Sequence, residues 1–245
     1  MRYEHQVVIV TGGTRGIGKG ITKAFLKEGA HVIATYANND LKAEEFKASM
    51  VDHQDKLELR KFDVSSNEAC KTFFESVSAT HEQIHILVNN SGVRKDNLIA
   101  TMTDDDWDQV LNINLKGTFN MTQNAVLHMM KHRYGRIVNI SSVGGALGLP
   151  GQANYAASKA GQVALSKSVS KEVAKRKITI NNVCPGFIET ELLEDLDETL
   201  VKEYKSQVPM KRFGSVDEVA HAVMFFADKK SSYITGTSLE VSGGL

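Results

Sequence analysis

Two side chains capable of proton chemistry stand four residues apart in the stretch "QANYAASKAGQ", which runs from 152 to 162: Tyr155 and Lys159. On a helix that spacing puts both on one face, a turn apart, within reach of a shared ligand. A phenol is an acid with an ordinary pKa of about 10. A nearby ammonium favours its ionised form, so the pair is suited to handing a proton to an oxygen that gains charge during a reaction. The chain has six tyrosines and is rich in lysine, so the same spacing also arises by accident. The surrounding elements decide between the two.

Apolar, β-rich runs recur along the chain as "QVVIVT", "HVIATY", "KLELRKF", "IHILVNN", "GRIVNIS", "ITINNVC" and "SLEVSG". Between them lie longer segments with helical periodicity, at 18–29, 66–81 and 104–133. Strand, helix, strand repeated in this way predicts right-handed crossovers and an α/β Rossmann fold, a doubly wound, seven-stranded parallel sheet with helices on both faces. Three prolines and the lack of any linker, low-complexity tract or repeat predict a single domain over 1–245.

The first strand runs into "TGGTRGIG". Glycines at 12, 16 and 18 allow a tight turn, close approach of backbone to a pyrophosphate and close packing of helix on strand, with the helix N-terminus facing the phosphates. Gly12, Thr14, Arg15, Gly16, Ile17 and Gly18 are therefore candidate dinucleotide contacts. The second strand ends "IATYANN" and meets no acid before Asp40. A carboxylate at its end would bind a ribose 2′-hydroxyl and repel a 2′-phosphate. With Tyr36, Ala37 and Asn38 there instead, and Arg15 in the glycine loop, NADPH is the expected cofactor. Arg15 can also be read as a solvated loop cation.

Lys plus Arg and Asp plus Glu each total 29, so a formal net charge of zero gives no general pull toward nucleic acid or an anionic membrane. The apolar run at 6–10 is too short for a signal-peptide core or a membrane span, which makes the cytoplasm the expected location. Cys70 and Cys184 have no CxxC or His/Cys company, so neither a disulfide framework nor a zinc site is expected. The eight histidines are scattered, and Asp104, Asp105 and Asp106 read as a helix start rather than as metal ligands. No metal is expected.

Taken together, "VTGGTRGIG", "NNSG", "YAASK", "PGFIET" and the final "SGG" resemble the short-chain dehydrogenase/reductase family, in its order and over essentially the whole chain. The resemblance implies a catalytic tetrad of Asn114, Ser142, Tyr155 and Lys159. In it Tyr155 protonates the oxygen of a ketone that receives a hydride, Lys159 lowers the tyrosine's pKa and binds the nicotinamide ribose, Ser142 orients the carbonyl, and Asn114 holds a water toward solvent. It also implies that Asp63 and Val64 meet the adenine, that Asn90 and Gly92 border the ribose, and that Pro185, Gly186, Ile188 and Thr190 orient the carboxamide. Ser91 stands where the family usually has alanine. Asn89 and Asn139 read as structural.

Within the family the chain looks most like the branch that reduces 3-oxoacyl groups on acyl carrier protein, with acetoacetyl-CoA or another small ketone as the alternative substrate. A non-catalytic NADPH-binding regulator is a remoter reading, which an intact tetrad disfavours. The resemblance implies a homotetramer and a substrate lid near 187–212 that contains Phe187, Leu192, Leu193, Leu196 and Leu200. It further implies that the acidic carrier protein docks on Arg133 and Arg176 beside the active-site mouth. Both arginines can also be read as ordinary cations at helix C-termini.

Overall fold

The run Val7–Val10 is apolar at every position and every side chain is buried, as a central parallel strand covered on both faces requires. This is β1. The computed structural model describes residues 1–191 and 197–245. In it β1 leads through α1 (Gly16–Lys27) to β2 (His31–Tyr36), and α2 (Asp40–Ala48) precedes β3 (Leu57–Lys61). Then follow α3 (Asn67–Thr80), β4 (Ile86–Asn89), α4 (Asp104–Val110), α5 (Gly117–His132), β5 (Gly135–Ile140), α6 (Gly144–Leu147) and α7 (Ala153–Val173). The chain ends with β6 (Ile178–Pro185), α8 (Glu198–Gln207), α9 (Val216–Ala227) and β7 (Ser238–Val241). The seven strands form one sheet in the order 3-2-1-4-5-6-7, and every neighbouring pair is parallel. That is the expected doubly wound fold, with its topological switch between β1 and β4.

Alternation along the strands divides the apolar residues between two cores. Val8, Val10, Val32 and Val88 face Ile21 and Phe25 of α1 and Val223 and Phe226 of α9. Val7, Ile9, Ile33 and Leu87 face Phe73 and Phe74 of α3 and Met121 and Met129 of α5. Sheet and helices thus hold each other on both sides, which fixes where each strand stops.

The segment expected as one helix over 104–133 is not one helix. It opens with a capping box between Thr103 and Asp106, which accounts for the acidic run, and α4 ends at Val110. Residues Leu111–Lys116 form a π-helical turn before α5 begins. The wider turn departs from the regular 3.6-residue period, so hydrophobic periodicity does not reveal it. Asn114 lies inside it. Its carbonyl accepts hydrogen bonds from the Thr118 hydroxyl (2.7 Å) and the Gln162 amide (2.8 Å).

The helix carrying Tyr155 and Lys159 buries a polar face. Asn154, Ser158, Gln162, Ser166 and Ser170 of α7 all turn inward. The Ser166 hydroxyl donates to Asn182 Oδ1 on β6 at 2.6 Å, and Asn139 Nδ2 on β5 donates to Ser166 Oγ at 2.9 Å. Asn89 Nδ2 on β4 in turn donates to Asn139 Oδ1 at 2.8 Å. These directional bonds set the rotation and height of α7 on the sheet, where apolar contacts would let it slide. Asn89 and Asn139 are structural, as their sequence context implied.

Candidate active site

Parallel strands gather the loops at their carboxyl ends, and the candidate residues meet there. After β1, Gly12 and Gly16 hold φ of +61° and +50°, a region costly for any side chain. A Cβ on Gly18 would lie 2.0 Å from the Gly12 carbonyl oxygen, and one on Gly13 would lie 2.8 Å from that of Val10. The loop is fastened from outside: Asn90 Nδ2 donates to the carbonyls of Thr11 (3.0 Å) and Gly12 (3.1 Å), and Thr11 Oγ1 accepts from the amides of Asn90 and Ser91. The result is a side-chain-free cradle at the N-terminus of α1, which fits a pyrophosphate. Thr14 is buried within the loop and Arg15 projects from it, exposed.

At the end of β2, Tyr36 is partly buried and Asn38 exposed. The first carboxylate after the strand, Asp40, pairs with Lys61 at 2.7 Å and hydrogen-bonds Tyr36, so its charge is already engaged. Asp63 Oδ1 accepts from the Ser65 amide at 2.8 Å, and Val64 is buried beside it with its carbonyl held by Asn120. Across the cleft, Val143 donates to the Pro185 carbonyl and Gly186 to that of Val241, while Ile188 bridges to Gly214. A Cβ on Gly16 would have Thr190 Cγ2 as its nearest neighbour, at 3.9 Å, so this loop reaches back over the glycine cradle.

The proposed tetrad comes together between these loops. Lys159 is 4 % exposed, and its ammonium donates to the Ile140 carbonyl at 2.7 Å and to Gln162 Oε1 at 3.4 Å. A Cβ on Gly92 would lie 3.3 Å from Asn114 Oδ1 and 3.7 Å from Lys159 Nζ, which places those three side by side. One on Gly144 would lie 3.3 Å from Ser142 Oγ and 3.7 Å from Tyr155 Cε1. Ser142 and Tyr155 thus flank the same glycine, near enough for the serine hydroxyl to hold the Tyr155 pKa down.

The electrostatics differ from the expectation at one point. Burial pushes the Tyr155 phenol above its ordinary value, and what opposes the rise is the Ser142 hydrogen bond and then the charge of Arg94. Lys159 Nζ stands 5.6 Å from the Tyr155 ring centre, and burial pulls its own pKa down to about 8, so it stays charged at neutral pH but gives up its proton more readily than an ordinary lysine. Arg94 was not singled out by the sequence motifs. Its guanidinium carbon lies 5.7 Å from the same ring centre, held there by an ion pair with Asp96. Asp96 accepts from Gln152 at the start of α7 at 3.0 Å, which ties the arginine to the helix that bears the tyrosine. A strand-end arginine after "NNSG" has no helical or strand period to flag it. Only the fold brings it over Tyr155.

Beside this cluster Phe187 stacks on Tyr204 with ring centres 5.0 Å apart and tilts against Phe213 at 6.0 Å, forming an apolar wall. Leu192, Leu193 and Leu196, expected in the lid, lie outside the described residues, as does the side chain of Leu200. Arg133 and Arg176 are exposed and adjacent, with Arg133 donating to the Lys175 carbonyl at 3.3 Å. They are not at the mouth of this chain's own site. Arg133 precedes β5 and Ser142 follows it, about 20 Å away at a strand's rise. The length of α7, about 30 Å, separates Tyr155 from Arg176.

A parallel α/β sheet with a glycine cradle at its switch point and a Ser, Tyr and Lys cluster beside it defines a dinucleotide-binding oxidoreductase scaffold. Comparison with known proteins narrows the class. Residues 12–245 match a family described as enoyl-(acyl carrier protein) reductase. The chain is 43 % identical over 248 aligned residues to the 3-oxoacyl-(acyl-carrier-protein) reductase FabG of Thermotoga maritima, covering 100 % of this chain and 99 % of the relative. It is 41 % identical to the FabG of Staphylococcus aureus (97 % and 96 %) and 42 % identical to the acetoacetyl-CoA reductase of Shinella zoogloeoides (98 % of each). The chain belongs to the short-chain dehydrogenase/reductase family, whose members use a nicotinamide cofactor. Among the described residues no helix is long and apolar enough to cross a membrane.

The buried Lys159 carries a stability consequence. Its folded pKa, about 8, lies below the ordinary value of 10.5, so between those values the unfolded chain holds a proton that the folded chain has lost. Stability contributed at this site therefore rises with pH across that window. Lys159→Met is expected to be more stable than the wild type at pH 7, by an amount on the order of 3 kcal/mol before the loss of the Ile140 hydrogen bond is subtracted. The gap should close toward pH 10. Urea denaturation of both proteins at pH 7, 8.5 and 9.5 measures it, and parallel curves would show that the lysine titrates normally.

Proposed function

We propose that the chain is an NADPH-dependent reductase of 3-oxoacyl groups carried on acyl carrier protein. The observation that carries the reading is the convergence of Ser142, Tyr155 and Lys159 at the lip of the glycine cradle, in a chain whose full-length relatives bear that activity in their names. The cofactor would supply a hydride to the carbonyl carbon. Gly12, Thr14, Arg15, Gly16, Ile17 and Gly18 would hold its pyrophosphate, and Arg15 with Tyr36 and Asn38 the 2′-phosphate. Asp63 and Val64 would meet the adenine, Asn90 and Gly92 the adenosine ribose, Lys159 and Tyr155 the nicotinamide ribose, and Pro185, Gly186, Ile188 and Thr190 the carboxamide.

The protein's own part is to manage the oxygen. Ser142 and Tyr155, side by side against Gly144, would offer two hydroxyls to one carbonyl oxygen, which can accept from both. As that oxygen gains charge, Tyr155 releases its proton to it, and the phenolate left behind is stabilised by Ser142, Arg94 and Lys159. Lys159, with a proton affinity much nearer neutrality than the phenol's, is placed to restore the proton. The apolar wall of Phe187, Tyr204 and Phe213 suits an acyl chain rather than a polar ketone.

NADPH oxidation measured with acetoacetyl groups on carrier protein, on coenzyme A and on a minimal thiol, with a 2-enoyl thioester as a fourth arm, tests the assignment. The carrier-protein thioester should be the best substrate. Preference for coenzyme A would favour the acetoacetyl-CoA reading, and turnover of the enoyl thioester alone would overturn ketone reduction. In the same assay Tyr155→Phe should lower kcat by a factor of about 10² to 10⁴. Cofactor binding, followed by NADPH fluorescence, should stay nearly intact because only the hydroxyl is removed.

Cofactor choice rests on the missing acid after β2 and on Asp40 being engaged by Lys61. Ala37→Asp is expected to raise the KM for NADPH at least tenfold and to leave that for NADH nearly unchanged, because a carboxylate there opposes only the 2′-phosphate. Equal use of both cofactors by the wild type would refute the argument from this strand end.

Carrier-protein docking on Arg133 and Arg176 requires a second copy of the chain to present them, since both lie at the opposite edge of the sheet from this chain's own site. The homotetramer inferred from the resemblance would supply one. Arg133→Glu with Arg176→Glu should then slow reduction of the carrier-protein thioester severalfold at low salt, with the defect shrinking as ionic strength rises. Reduction of a small thioester should be unaffected. Equal loss on both substrates, accompanied by a change in molecular mass by light scattering, would mean that the arginines support assembly instead.

A further inference from the structure

At the amino-terminal edge of the sheet, far from the tetrad, three side chains converge that share no motif in the sequence. His31 opens β2, Glu58 lies on the neighbouring β3, and His81 caps the carboxyl end of α3. Glu58 Oε1 is 2.7 Å from His31 Nε2 and 2.9 Å from His81 Nε2, and the three donor atoms lie within 4.8 Å of one another. The imidazole rings are 4.6 Å apart, centre to centre. Arg60 Nη2 holds the other carboxylate oxygen at 2.6 Å, so Glu58 presents a single oxygen toward the two rings. All three residues are partly buried, which leaves one side open to solvent.

We propose that His31, Glu58 and His81 form a binding site for a divalent first-row transition metal, zinc above all, at the amino edge of the sheet. Two imidazole nitrogens and one carboxylate oxygen are a donor set that suits zinc, and an open fourth position accepts water. Magnesium and calcium prefer oxygen ligands and larger coordination numbers, so they are poor occupants. With bonds of about 2.0–2.2 Å in a tetrahedral arrangement, donor atoms stand roughly 3.3 Å apart. The two short contacts must therefore open by about half an ångström, which the open, solvent-facing side of the cluster allows. On binding, each neutral imidazole keeps one proton, moved from Nε2 to Nδ1, and the metal takes the place of the two hydrogens that bridge to Glu58. Arg60 then acts from outside by fixing the carboxylate, at some cost in affinity from its charge.

The site would join β2, β3 and α3, elements whose other ends carry Tyr36 and lead to Asp63 in the adenosine pocket. Its role is a structural staple, and it does not depend on the proposed reaction. The order of the chain explains why spacing does not show it: three elements separated by whole crossovers meet only because β2 and β3 pair in parallel with His31 and Glu58 at the same edge.

Isothermal titration of tag-free, chelator-stripped protein with zinc chloride should show one site per chain, and magnesium chloride should show none. Zinc at about a hundredfold excess over its Kd should raise Tm by about 5–10 °C. His31→Ala and His81→Ala should each weaken binding at least tenfold. His81→Gln keeps an N–H donor toward Glu58 and so preserves the metal-free contact, and it should lose zinc while retaining the wild-type metal-free Tm. Cobalt(II) should give the intense visible absorption of a tetrahedral complex in the wild type and not in these variants. Absence of one-to-one zinc binding, or binding and Tm gains that survive all three substitutions, would overturn the proposal and leave the cluster a carboxylate with two histidine donors.

Discussion

A primary ammonium with 4 % exposure is the feature around which the site is built. Taking Lys159 out of water is costly unless its three hydrogens find oxygen, and the sheet provides one at the end of β5, the Ile140 carbonyl. Gln162 supplies another contact from the same helix, and it is itself held by donating to the Asn114 carbonyl and to Thr118. One buried charge thereby ties together β5, α7 and the π turn. The remaining cost shows as a lysine that holds its proton weakly. In a structural position that would be a defect. Beside a tyrosine that must lose and regain a proton it is a property the chemistry can use.

The sheet makes this arrangement possible because all seven strands run the same way. Each strand ends at the same edge, so residues far apart in sequence, in the loops after β1, β4, β5 and β6, share one cleft. The same geometry sends the C-termini of α3, α5 and α7 to the opposite edge, and His81, Arg133 and Arg176 are found there. Chemistry on one edge and basic side chains at helix ends on the other are two results of a single topology. Docking at the mouth through those arginines is then a question about neighbouring copies and not about this chain alone.

The seven strands, their parallel sheet and the glycine turn were legible in the sequence because apolar runs, helical periodicity and turn chemistry are local signals. The family resemblance named Asn114, Ser142, Tyr155 and Lys159, and the fold brings the four close together. The π turn was not legible, since one widened turn shifts hydrophobic phase without leaving a mark of its own. Arg94 and the His31, Glu58 and His81 cluster were not legible either, because each depends on distances across the sheet that no spacing along the chain encodes. The sign of the Tyr155 shift was misjudged for a related reason. A lysine four residues away was expected to set the phenol's pKa, but burial of the phenol itself raises it, and what opposes the rise is Ser142 and Arg94.

Asn114 shows why a particular residue type is needed where the sequence offered only a family likeness. Its Oδ1 accepts from the Val93 amide at 2.8 Å, and its Nδ2 donates to the Val93 carbonyl at 3.0 Å and to Ser158 Oγ at 3.1 Å. The side chain pairs with one residue of the loop after β4 as an adjacent strand would, using a donor and an acceptor at once. Aspartate lacks the donor and leucine lacks both, so neither could hold Val93 and the loop that continues to Arg94. The backbone carbonyl of Asn114 also reaches toward Lys159, through Gln162. The side chain fixes the loop carrying one cation over Tyr155, and the main chain, freed by the π turn to accept side-chain donors, supports the other. A single asparagine thus contributes to both cations that face the phenol, beside the Asp96 pair that holds Arg94 and the Ile140 carbonyl that holds Lys159.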